Sequence, residues 1–397
     1  MASTFPRWAK DSEPAFVFEL SRHLIKLNHE IVALVPHAPL ASQAEVIDGV
    51  QIQRFPYFYP LAAQRLCYNG GALPNLRKSW LARGNLPFFL LAQQRALKKL
   101  LNQQEFDLIH AHWLLPQGLA AVQQACSRDI PVVLTAHAGD VFGLNRFPFD
   151  FLMRMALQRA AACTVNSQAT ADAVRSIYSG SRIELIPMGV DLGDFSPTKH
   201  SATLRTTYQR NKGKLIIAAG RLVNKKGFEY LIKAFPMVLS AEPDTILLLA
   251  GFGPLEPELR ALAGRLKLND NIHFLGNLEK SAMATCLASA DIVVVPSIIA
   301  DSGDTEGQGV IVIEGQASGT PIIASAVGGI TDLIEDGYNG ILVPQKDSAA
   351  LGKALLDVIR DDQLQRRLSE NAIQTVSEYS WPKIAQRFSV LFEKRLA

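Results

Sequence analysis

The stretch DIVVVPSIIADSGDTEGQGVIVIEGQASGTPIIASA (291–326) carries the pattern that decides the fold. Two short apolar, β-branched runs, DIVVVPS (291–297) and PIIASA (321–326), flank a helical pattern that starts near Gly309. Strands that are apolar along their whole length are typical of parallel sheets covered by helices on both faces. The stretch therefore predicts a strand–helix–strand unit of an α/β domain.

The same alternation of strands and helices continues on both sides of this unit. In the second half, further strands are expected at KLIIAAG (214–220), TILLLAG (245–251), NIHFLG (271–276) and GILVP (340–344). In the first half, they are expected at EIVALVP (30–36), VQIQRF (50–55), FDLIHAH (106–112), PVVLTAH (131–137), ACTVNS (162–167) and RIELIP (182–187). Two such series predict two doubly wound α/β domains.

A linker rich in Gly, Asp, Ser and Pro, at 188–214, separates the two series. We expect an N-terminal domain of residues 1–189, a C-terminal domain of residues 190–378, and a last helix at 379–397 that returns to the N-terminal domain. A doubly wound domain normally opens with an apolar strand, but residues 1–24 have the pattern of a loop followed by a helix. The first strand is therefore expected to be truncated to a stub.

Composition excludes several classes of protein. Of 397 residues, 48% are apolar and 19% are charged, which argues against disorder and coiled coil. Forty Lys and Arg against 37 Asp and Glu give a net charge of +3, too near balance for a general nucleic-acid binder. The four cysteines form no CxxC pair and have no zinc-like spacing with histidine. With no apolar run near the ~18–20 residues of a membrane span, we expect a soluble, cytoplasmic protein.

The segment GRLVNKKG (220–227) follows a predicted strand and precedes a predicted helix. Gly220 can make a tight turn, and Arg221 and Lys226 then lie at the carboxyl end of the strand, where α/β sheets bind ligands. Two cations there suit a diphosphate, although a solvated basic turn is the alternative. The related GFGPLEPEL (251–259) lacks the third glycine of a dinucleotide-binding fingerprint.

Glu306 and Glu314 surround the start of the predicted helix after Gly309. Backbone N–H groups at a helix start bind phosphate or sugar oxygens, and a carboxylate accepts hydrogen bonds from vicinal hydroxyls. Glu314 lies in VIVIEGQAS, a stretch of apolar and small residues that is expected to be buried, so a purely solvated helix is the weaker interpretation. This arrangement predicts a sugar-nucleotide site.

Taken together in their order, GRLVNKKG, GFGPLEPEL, FLGNL and EGQGVIVIEGQASGTPIIASAVGGITDLIEDGYNGILVP resemble the C-terminal domain of retaining family-four glycosyltransferases. HAHWLLPQG, TAHAGDVFG and IPMGVDLGDFSP extend the resemblance to the N-terminal half. It is nearest to bacterial enzymes of exopolysaccharide or lipopolysaccharide assembly. The resemblance implies the GT-B fold, in which two Rossmann-like domains face each other across a cleft.

The resemblance also implies a role for each matching residue. Arg221 and Lys226 would bind the donor diphosphate and stabilise the departing nucleotide, Glu306 would contact the donor sugar, and Glu314 would hold the ribose. The remaining residues expected at the donor are Gly220, Gly276, Leu278, Gly309, Val310 and, from the first domain, His137. Arg7, His112 and Trp113 are expected on the acceptor side. A metal at His110 and His112 is an alternative that we do not favour.

The expected reaction is transfer of a hexose from a UDP- or GDP-sugar to a glycan, a lipid-linked acceptor or a small molecule. No DxD motif occurs in the chain, so no metal cofactor is expected, and Arg221, Lys226 and a helix N-terminus would stabilise the leaving diphosphate. The resemblance implies that the anomeric configuration is retained. A sugar-nucleotide epimerase and a non-catalytic sugar-nucleotide or glycan binder are the alternatives.

The first loop departs from the family pattern. The family's first strand would precede Thr4, and Arg7, Asp11, Glu13 and Pro14 stand where the family has paired glycines. These departures leave open how this loop contacts the acceptor or phosphate.

Residues 49–104 contain no Asp or Glu. Their cations are Arg54, Arg65, Arg77, Lys78, Arg83, Arg95, Lys98 and Lys99, and among them stand Phe55, Tyr57, Phe58, Tyr59, Trp80, Leu81, Phe88 and Phe89. Basic residues mixed with aromatic residues suit an anionic lipid surface, so the stretch predicts peripheral binding at the inner face of a membrane. A solvated basic face is the alternative, and no nucleic-acid-binding motif accompanies the charge.

Overall fold

The computed structural model of the chain describes residues 1–8, 11, 15–68, 71–144, 146–209 and 213–396. In that part of the chain the strands are β1 (Val32–Pro36), β2 (Ala44–Ile47), β3 (Val50–Phe55), β4 (Ile109–His112), β5 (Val132–Ala136), β6 (Ala162–Val165), β7 (Ile183–Leu185), β8 (Leu215–Ala219), β9 (Ile246–Ala250), β10 (Ile272–Gly276), β11 (Ile292–Val295), β12 (Ile322–Ser325) and β13 (Ile341–Val343).

The helices are α1 (Phe16–Ile25), α2 (Ala72–Lys78), α3 (Trp80–Gln103), α4 (Leu119–Ala125), α5 (Gly139–Gly143), α6 (Phe149–Arg159), α7 (Gln168–Ile177), α8 (Ala202–Tyr208), α9 (Phe228–Ala241), α10 (Glu256–Arg265), α11 (Lys280–Ser289), α12 (Val310–Ala317), α13 (Ser348–Arg360), α14 (Asp362–Val376) and α15 (Trp381–Leu396). From β4 to β12, at least one helix separates each strand from the next, as the sequence pattern predicts.

The chain divides into two compact units. Unit 1 consists of Met1–Asn166, Thr170–Gly189 and Trp381–Ala397, and unit 2 consists of Ser167–Ala169 and Val190–Ser380. The C-terminal helix α15 thus belongs to unit 1. It packs there on α1, where Trp381, Ile384 and Phe388 share a buried cluster with Leu20 and Leu24.

Unit 2 is built around a parallel sheet of strand order β10-β9-β8-β11-β12-β13. Successive residues of β8 point to opposite faces of the sheet: Ile217 belongs to one buried cluster and Ile216 to the other. From β8 the chain continues to β9 on one side, whereas β11 is the neighbour on the other side. This change of direction creates a crevice at the carboxyl ends of β8 and β11, the usual ligand position in such sheets.

Unit 1 contains the parallel strands β4-β5-β6-β7 and a second sheet of order β1-β3-β2. Strand β2 was not predicted, and it pairs antiparallel with β3. Its sequence, AEVI, carries a charged residue and alternates between exposed and half-buried positions, so it gives none of the continuous apolar signal of the other strands. Unit 1 is therefore less regular than the sequence suggested.

The expected stub of a first strand consists of Met1 and Ala2. The Met1 ammonium donates to His110 O over 2.6 Å, and His112 N–H donates to Met1 O over 3.0 Å. On the other side, Ala2 N–H donates to Leu34 O over 3.3 Å. These two residues thus lie between β4 and β1 in the manner of a parallel strand.

Candidate active site

The loop after β8 brings Lys226 back over the end of its own strand. Gly220 adopts a φ of 147°, which strains any other residue, and a Cβ built on it would lie only 3.3 Å from Cε of Lys226, so a larger residue would also press on this side chain. Lys226 ends a 3₁₀ turn at Asn224–Lys226, and left-handed Gly227 then starts α9. Arg221, in the same loop, is exposed.

Lys226 and Glu306 meet at the crevice between β8 and β11. Nζ of Lys226 donates to Oε2 of Glu306 over 2.5 Å, and Ser297 Oγ donates to the same oxygen over 3.4 Å. The side chains are only 16% and 12% exposed, so Lys226 is not part of a solvated basic turn. Burial alone would raise the pKa of Glu306, but the charge and hydrogen bond of Lys226, the charge of Lys225 and the hydrogen bond of Ser297 together outweigh it and lower that pKa.

A second lysine fixes the chain segment that carries Glu306. Lys225 Nζ lies 3.0 Å from Oδ1 of Asp304 and 3.1 Å from the Thr305 carbonyl oxygen, and Lys225 O accepts from Ile298 N–H over 2.8 Å. The sequence analysis missed this contact. Adjacent lysines before a glycine were the only signal, because the partner residues lie about 80 positions away in sequence.

The start of α12 holds the second predicted carboxylate. Gly309, with a φ of 79°, precedes the helix, and Val310 is its first residue. Glu314 is half-buried on the second turn, as the sequence indicated. Burial raises the pKa of Glu314 to about 7, against the opposing charges of Lys280 and Lys226. This carboxyl group therefore titrates near neutral pH, unlike Glu306.

Gly276 and Leu278, expected at the nucleotide base, follow β10. Gly276 has a φ of 67° and open space where a Cβ would stand, and its carbonyl accepts from Gly251 N–H over 2.7 Å. Leu278 packs against the core of unit 2 while remaining partly exposed. The loops after β8, β9 and β10 are thus joined by backbone hydrogen bonds at the carboxyl ends of these strands.

In unit 1, His137 follows β5 within a cluster of rings. Nε2 of His137 lies 3.0 Å from Nδ1 of His112, one of these nitrogens donating to the other, and the two rings stack 5.2 Å apart. The Trp113 and Phe16 rings lie 5.0 Å and 4.9 Å from that of His137. Asp140 accepts from His137 N–H over 3.0 Å and from Leu114 N–H over 2.8 Å, which fixes the loop. Sequence analysis did not single out Asp140 or Phe16.

Burial governs the charge of these histidines. It lowers the pKa of His137 to about 3 and those of His110 and His112 well below the usual value. All three are neutral at physiological pH and act as hydrogen-bonding groups. His110 bonds to Thr135 Oγ1 over 2.6 Å, and no group of three metal-ligating side chains occurs anywhere in the described ranges.

Arg7 belongs to unit 1, where it forms a two-pronged ion pair with Asp11. Its Nη2 lies 2.7 Å from Oδ1 and its Nε 2.8 Å from Oδ2. The guanidinium also lies 4.5 Å from the ring centre of Trp8. Of the other first-loop residues singled out in the sequence, Glu13 and Pro14 are outside the described residues.

The basic stretch 49–104 forms β3, α2 and α3, and one part of its prediction is wrong. Arg54 is buried, donates to Ser42 O and Pro6 O, and pairs with Glu45 over 2.5 Å, so it cannot meet a membrane. Phe55, Tyr57 and Phe89 are also buried, in a cluster with α3. These side chains form the core between β3 and the inner face of α3. Sequence composition alone did not distinguish this buried face of the stretch from its exposed face.

The exposed remainder of the stretch is concentrated on α2 and α3. Trp80 is 82% exposed and Phe88 53%, and the cations Arg77, Lys78, Arg83, Arg95, Lys98 and Lys99 are exposed as well. We call this set the α2–α3 face. In the described part of the chain, no helix is long and apolar enough to cross a membrane.

Comparison with known proteins identifies the family. Models of group 1 glycosyl transferases and of glycosyltransferase family 4 match residues 203–375 and 15–194. The GDP-mannose-dependent monoacylated alpha-(1-6)-phosphatidylinositol monomannoside mannosyltransferase of Corynebacterium glutamicum is 30% identical over 309 residues, 75% of this chain and 79% of that protein. The chain is a family 4 glycosyltransferase.

The glycosyltransferase is also 26% identical to phosphatidyl-myo-inositol mannosyltransferase of Mycolicibacterium smegmatis, over 95% of this chain and 88% of that one. Sucrose-phosphate synthase of Thermosynechococcus elongatus matches its fold with a TM-score of 0.78, at 24% identity over 96% of this chain and 92% of that one. Anabaena HepE, in complex with UDP and glucose, matches with 0.71 at 21% identity over 97% of each chain. The predicted GT-B fold of two Rossmann-like domains is confirmed.

Membership of this family also decides among the functional alternatives. The glycosyltransferase is an enzyme, a hexosyltransferase, as predicted from the sequence. The interpretations as an epimerase or as a non-catalytic binder therefore have no support beyond the sequence.

Proposed function

We propose that this glycosyltransferase transfers a hexose from a nucleoside-diphosphate sugar to a lipid-linked or glycan acceptor, with retention of configuration and without a metal ion. The observation that carries the proposal is the Lys226–Glu306 pair at the carboxyl ends of β8 and β11. It places a cation for a diphosphate beside a carboxylate for sugar hydroxyls, at the ligand position of a doubly wound sheet.

In the proposed donor complex, each group of unit 2 has one task. Lys226 and Arg221 bind the diphosphate, with the N–H groups at Gly309 and Val310, while Glu306 accepts from a hydroxyl of the sugar. Glu314 accepts from the ribose, and the base lies against Gly276 and Leu278. From unit 1, His137 contributes a hydrogen bond to the donor sugar as a neutral imidazole, because burial keeps its pKa low.

The proposed chemistry is departure of the nucleoside diphosphate from the anomeric carbon. Breaking that bond leaves an oxocarbenium-like sugar and a new negative charge on the leaving phosphate, which Lys226 and Arg221 stabilise. The oxygen of the acceptor hydroxyl attacks the anomeric carbon on the face from which the phosphate leaves. A leaving phosphate oxygen takes the proton of that hydroxyl during the attack. No metal is needed in this scheme, since the positive charge comes from side chains and a helix start.

Two relatives bear on the substrates we propose. One is named for GDP-mannose and a phosphatidylinositol monomannoside, and another for transfer of mannose to phosphatidyl-myo-inositol. We therefore propose GDP-mannose as the first donor to test and a lipid-linked acceptor. The exposed basic and aromatic α2–α3 face supports the proposal that the enzyme binds the anionic, cytoplasmic surface of a membrane. We assign Arg7, His112 and Trp113 to the acceptor side.

A thermal-shift screen with GDP-mannose, UDP-glucose and other nucleotide sugars tests the donor assignment. We expect one nucleoside diphosphate series to raise the Tm of the parent, and a smaller rise for Glu314→Gln. Glu335→Gln, an exposed position of the same unit, serves as the matched control and should behave like the parent. A panel in which no nucleotide sugar raises the Tm, or in which both variants respond equally, would contradict the assignment.

A further inference from the structure

Asp140 is a buried carboxylate of unit 1 that accepts from two loops at once. Its Oδ2 accepts from Leu114 N–H over 2.8 Å, in the loop after β4, and its Oδ1 accepts from His137 N–H over 3.0 Å, at the end of β5. The residue is only 3% exposed. After burial, which raises its pKa, the largest influences on this carboxyl group are backbone N–H groups, which lower the pKa. Asp140 therefore joins the backbones of two loops.

Both loops start with a residue in a strained backbone conformation. Trp113 has a φ of 71° and a ψ of 134°, a combination that a bulky residue rarely adopts. Ala138 has a φ of 65° and a ψ of −51°, and Gly139 N–H donates to His137 O over 2.7 Å. Ala138 is thus the central residue of a γ-turn of the rare, strained kind. Such conformations persist only where the surrounding contacts impose them.

The two hydrogen bonds of Asp140 lie directly beside these strained residues. The N–H group that follows Trp113 and the one that precedes Ala138 are the two that donate to the carboxylate. Trp113 N–H itself donates to Thr135 O over 2.8 Å, which continues the ladder between β4 and β5. Trp113 is therefore held between the sheet on one side and Asp140 on the other.

The strained residues lie beside two neighbouring rings at the carboxyl ends of β4 and β5. The Trp113 ring lies 5.0 Å from that of His137, and Nε2 of His137 lies 3.0 Å from Nδ1 of His112. Trp113 and His137 are partly exposed, whereas Ala138 and Asp140 are buried. A substrate can therefore reach the rings but not the carboxylate that fixes their loops.

We propose that Asp140 is a positioning residue for hexose transfer. By accepting from both loops, it holds the strained turns at Trp113 and Ala138 and so fixes the imidazole of His137. The role of His137 toward the donor sugar rests on the proposed function, whereas the joining of the two loops rests on the hydrogen bonds alone. Both carboxylate oxygens are needed, because an asparagine would offer one acceptor oxygen and set its NH₂ group against the second N–H donor.

Steady-state kinetics of Asp140→Asn test the effect on the reaction. We expect kcat for hexose transfer to fall by about 10- to 100-fold, since a displacement of about 1 Å in a positioned group can cost about 100-fold. The KM for the nucleotide sugar should stay within about twofold, because the diphosphate and ribose are assigned to unit 2. Asp172→Asn, at an exposed aspartate of α7 in the same unit, is the matched control and should behave like the parent. A normal kcat in Asp140→Asn would overturn the proposal.

Amide hydrogen exchange shows where the structure changes. In Asp140→Asn, the amide of either Leu114 or His137 should exchange about tenfold faster or more, because the asparagine oxygen can accept from only one of them. The amide of Trp113, bonded to Thr135 O, should change little and serves as the internal reference. Equally faster exchange of all three amides, or of none, would overturn the proposal.

A second variant separates backbone strain from a general loss of stability. Glycine adopts the conformation of Ala138 without strain, so Asp140→Asn should lower the Tm less in the Ala138→Gly background than in the parent. Part of the lost kcat should return in this double variant. Equal losses of Tm in the two backgrounds would overturn the proposal.

The same double variant, compared with Ala138→Gly, provides the kinetic and exchange measurements if Asp140→Asn alone does not fold. Failure of the parent itself to transfer hexose would contradict the proposed function instead. The exchange rates and Tm values would then still decide whether Asp140 fixes the two loops.

Discussion

The ammonium of Lys226 and the carboxylate of Glu306 are in direct contact, 2.5 Å apart and both largely buried. One follows β8 and the other follows β11, the two strands at which the sheet of unit 2 changes direction. Each residue thus neutralises the other where we propose that the donor binds. A phosphate that approaches Lys226 must share this cation with Glu306, which couples diphosphate binding to the position of the carboxylate.

Glu306→Gln tests the role given to the carboxylate. We expect a loss of kcat of about 30- to 1000-fold, equivalent to about 2–4 kcal/mol for one charged contact in a site that excludes water. The affinity for free nucleoside diphosphate should not fall, because Glu306 is assigned to the sugar and its replacement leaves the charge of Lys226 to the phosphate. Steady-state kinetics and calorimetry measure the two quantities separately. An equal loss of nucleoside diphosphate affinity in Glu306→Gln and Glu314→Gln would contradict the division of roles.

Glu314 should make nucleotide binding depend on pH. Its pKa is about 7, and the ribose hydroxyls donate to the ionised form, so affinity for a nucleoside diphosphate should rise between pH 6 and pH 8, by up to about tenfold. The phosphate group titrates in the same range, and Glu314→Gln is therefore the necessary comparison. Calorimetric titrations at several pH values should give a steeper profile for the parent. Parallel profiles for parent and variant would remove Glu314 from the ribose.

The same carboxyl group makes a second, independent prediction for stability. Its pKa is raised on folding from 4.5 to about 7, so the folded protein holds the proton more tightly than the unfolded chain. Its contribution to the free energy of unfolding is complete below pH 4.5 and is lost as the pH rises through 7. The loss is on the order of 3 kcal/mol. In urea unfolding, the stability of Glu314→Gln relative to the parent should increase from pH 5 to pH 8. A difference in unfolding free energy that stays constant over this pH range would contradict the raised pKa of Glu314.

Turnover should not require a divalent metal. The chain lacks a DxD motif, and we assign the leaving diphosphate to Arg221 and Lys226. After treatment with EDTA, we expect nucleotide release to remain within about twofold of the untreated rate. Activity that disappears with the chelator and returns with Mg²⁺ or Mn²⁺ would contradict the proposal.

The α2–α3 face should bind anionic lipid. We expect the parent to sediment with vesicles containing phosphatidylglycerol, to remain in solution with neutral vesicles, and to dissociate as salt screens the charges, with a Debye length of about 8 Å at physiological ionic strength. Replacing Arg77, Lys78 and Arg83 by Ser should weaken binding by up to about 1 kcal/mol for each charge. The exposed Arg366 and Arg367 of α14, replaced by Ser, provide the control. Undiminished binding of the triple variant would make this face an ordinary solvated surface.

Sequence reasoning predicted most of the fold because the strands of unit 2 are buried on both faces. KLIIAAG, TILLLAG and DIVVVPS are apolar at nearly every position, and each of them is a central strand, β8, β9 or β11. The missed strand β2 lies at an edge, where its AEVI sequence meets solvent on alternate residues. A periodicity argument detects burial, so it detects central strands better than edge strands.

The candidate site was predicted in part. Lys226 was placed at the carboxyl end of a strand and Glu306 at the start of a helix, but their contact joins positions 80 residues apart and leaves no local pattern. Arg54 shows the converse failure, because a basic residue among aromatic residues resembles a surface residue until Glu45 and two carbonyl groups are found around it. In both cases, contacts between residues that are distant in sequence, rather than the residue type, determine where the charged side chain lies.

Transfer of labelled hexose tests the central claim most directly. GDP-mannose labelled in the sugar is incubated with a bacterial lipid extract and with either the parent or one of two variants. The label that enters the organic phase is then counted. A second series uses labelled UDP-glucose instead of GDP-mannose. We expect transfer by the parent and by Lys233→Ala, an exposed lysine on α9, and a loss of about 30- to 1000-fold for Lys226→Ala. Near-normal transfer by Lys226→Ala, or no transfer from any nucleotide sugar to any acceptor, would contradict the account.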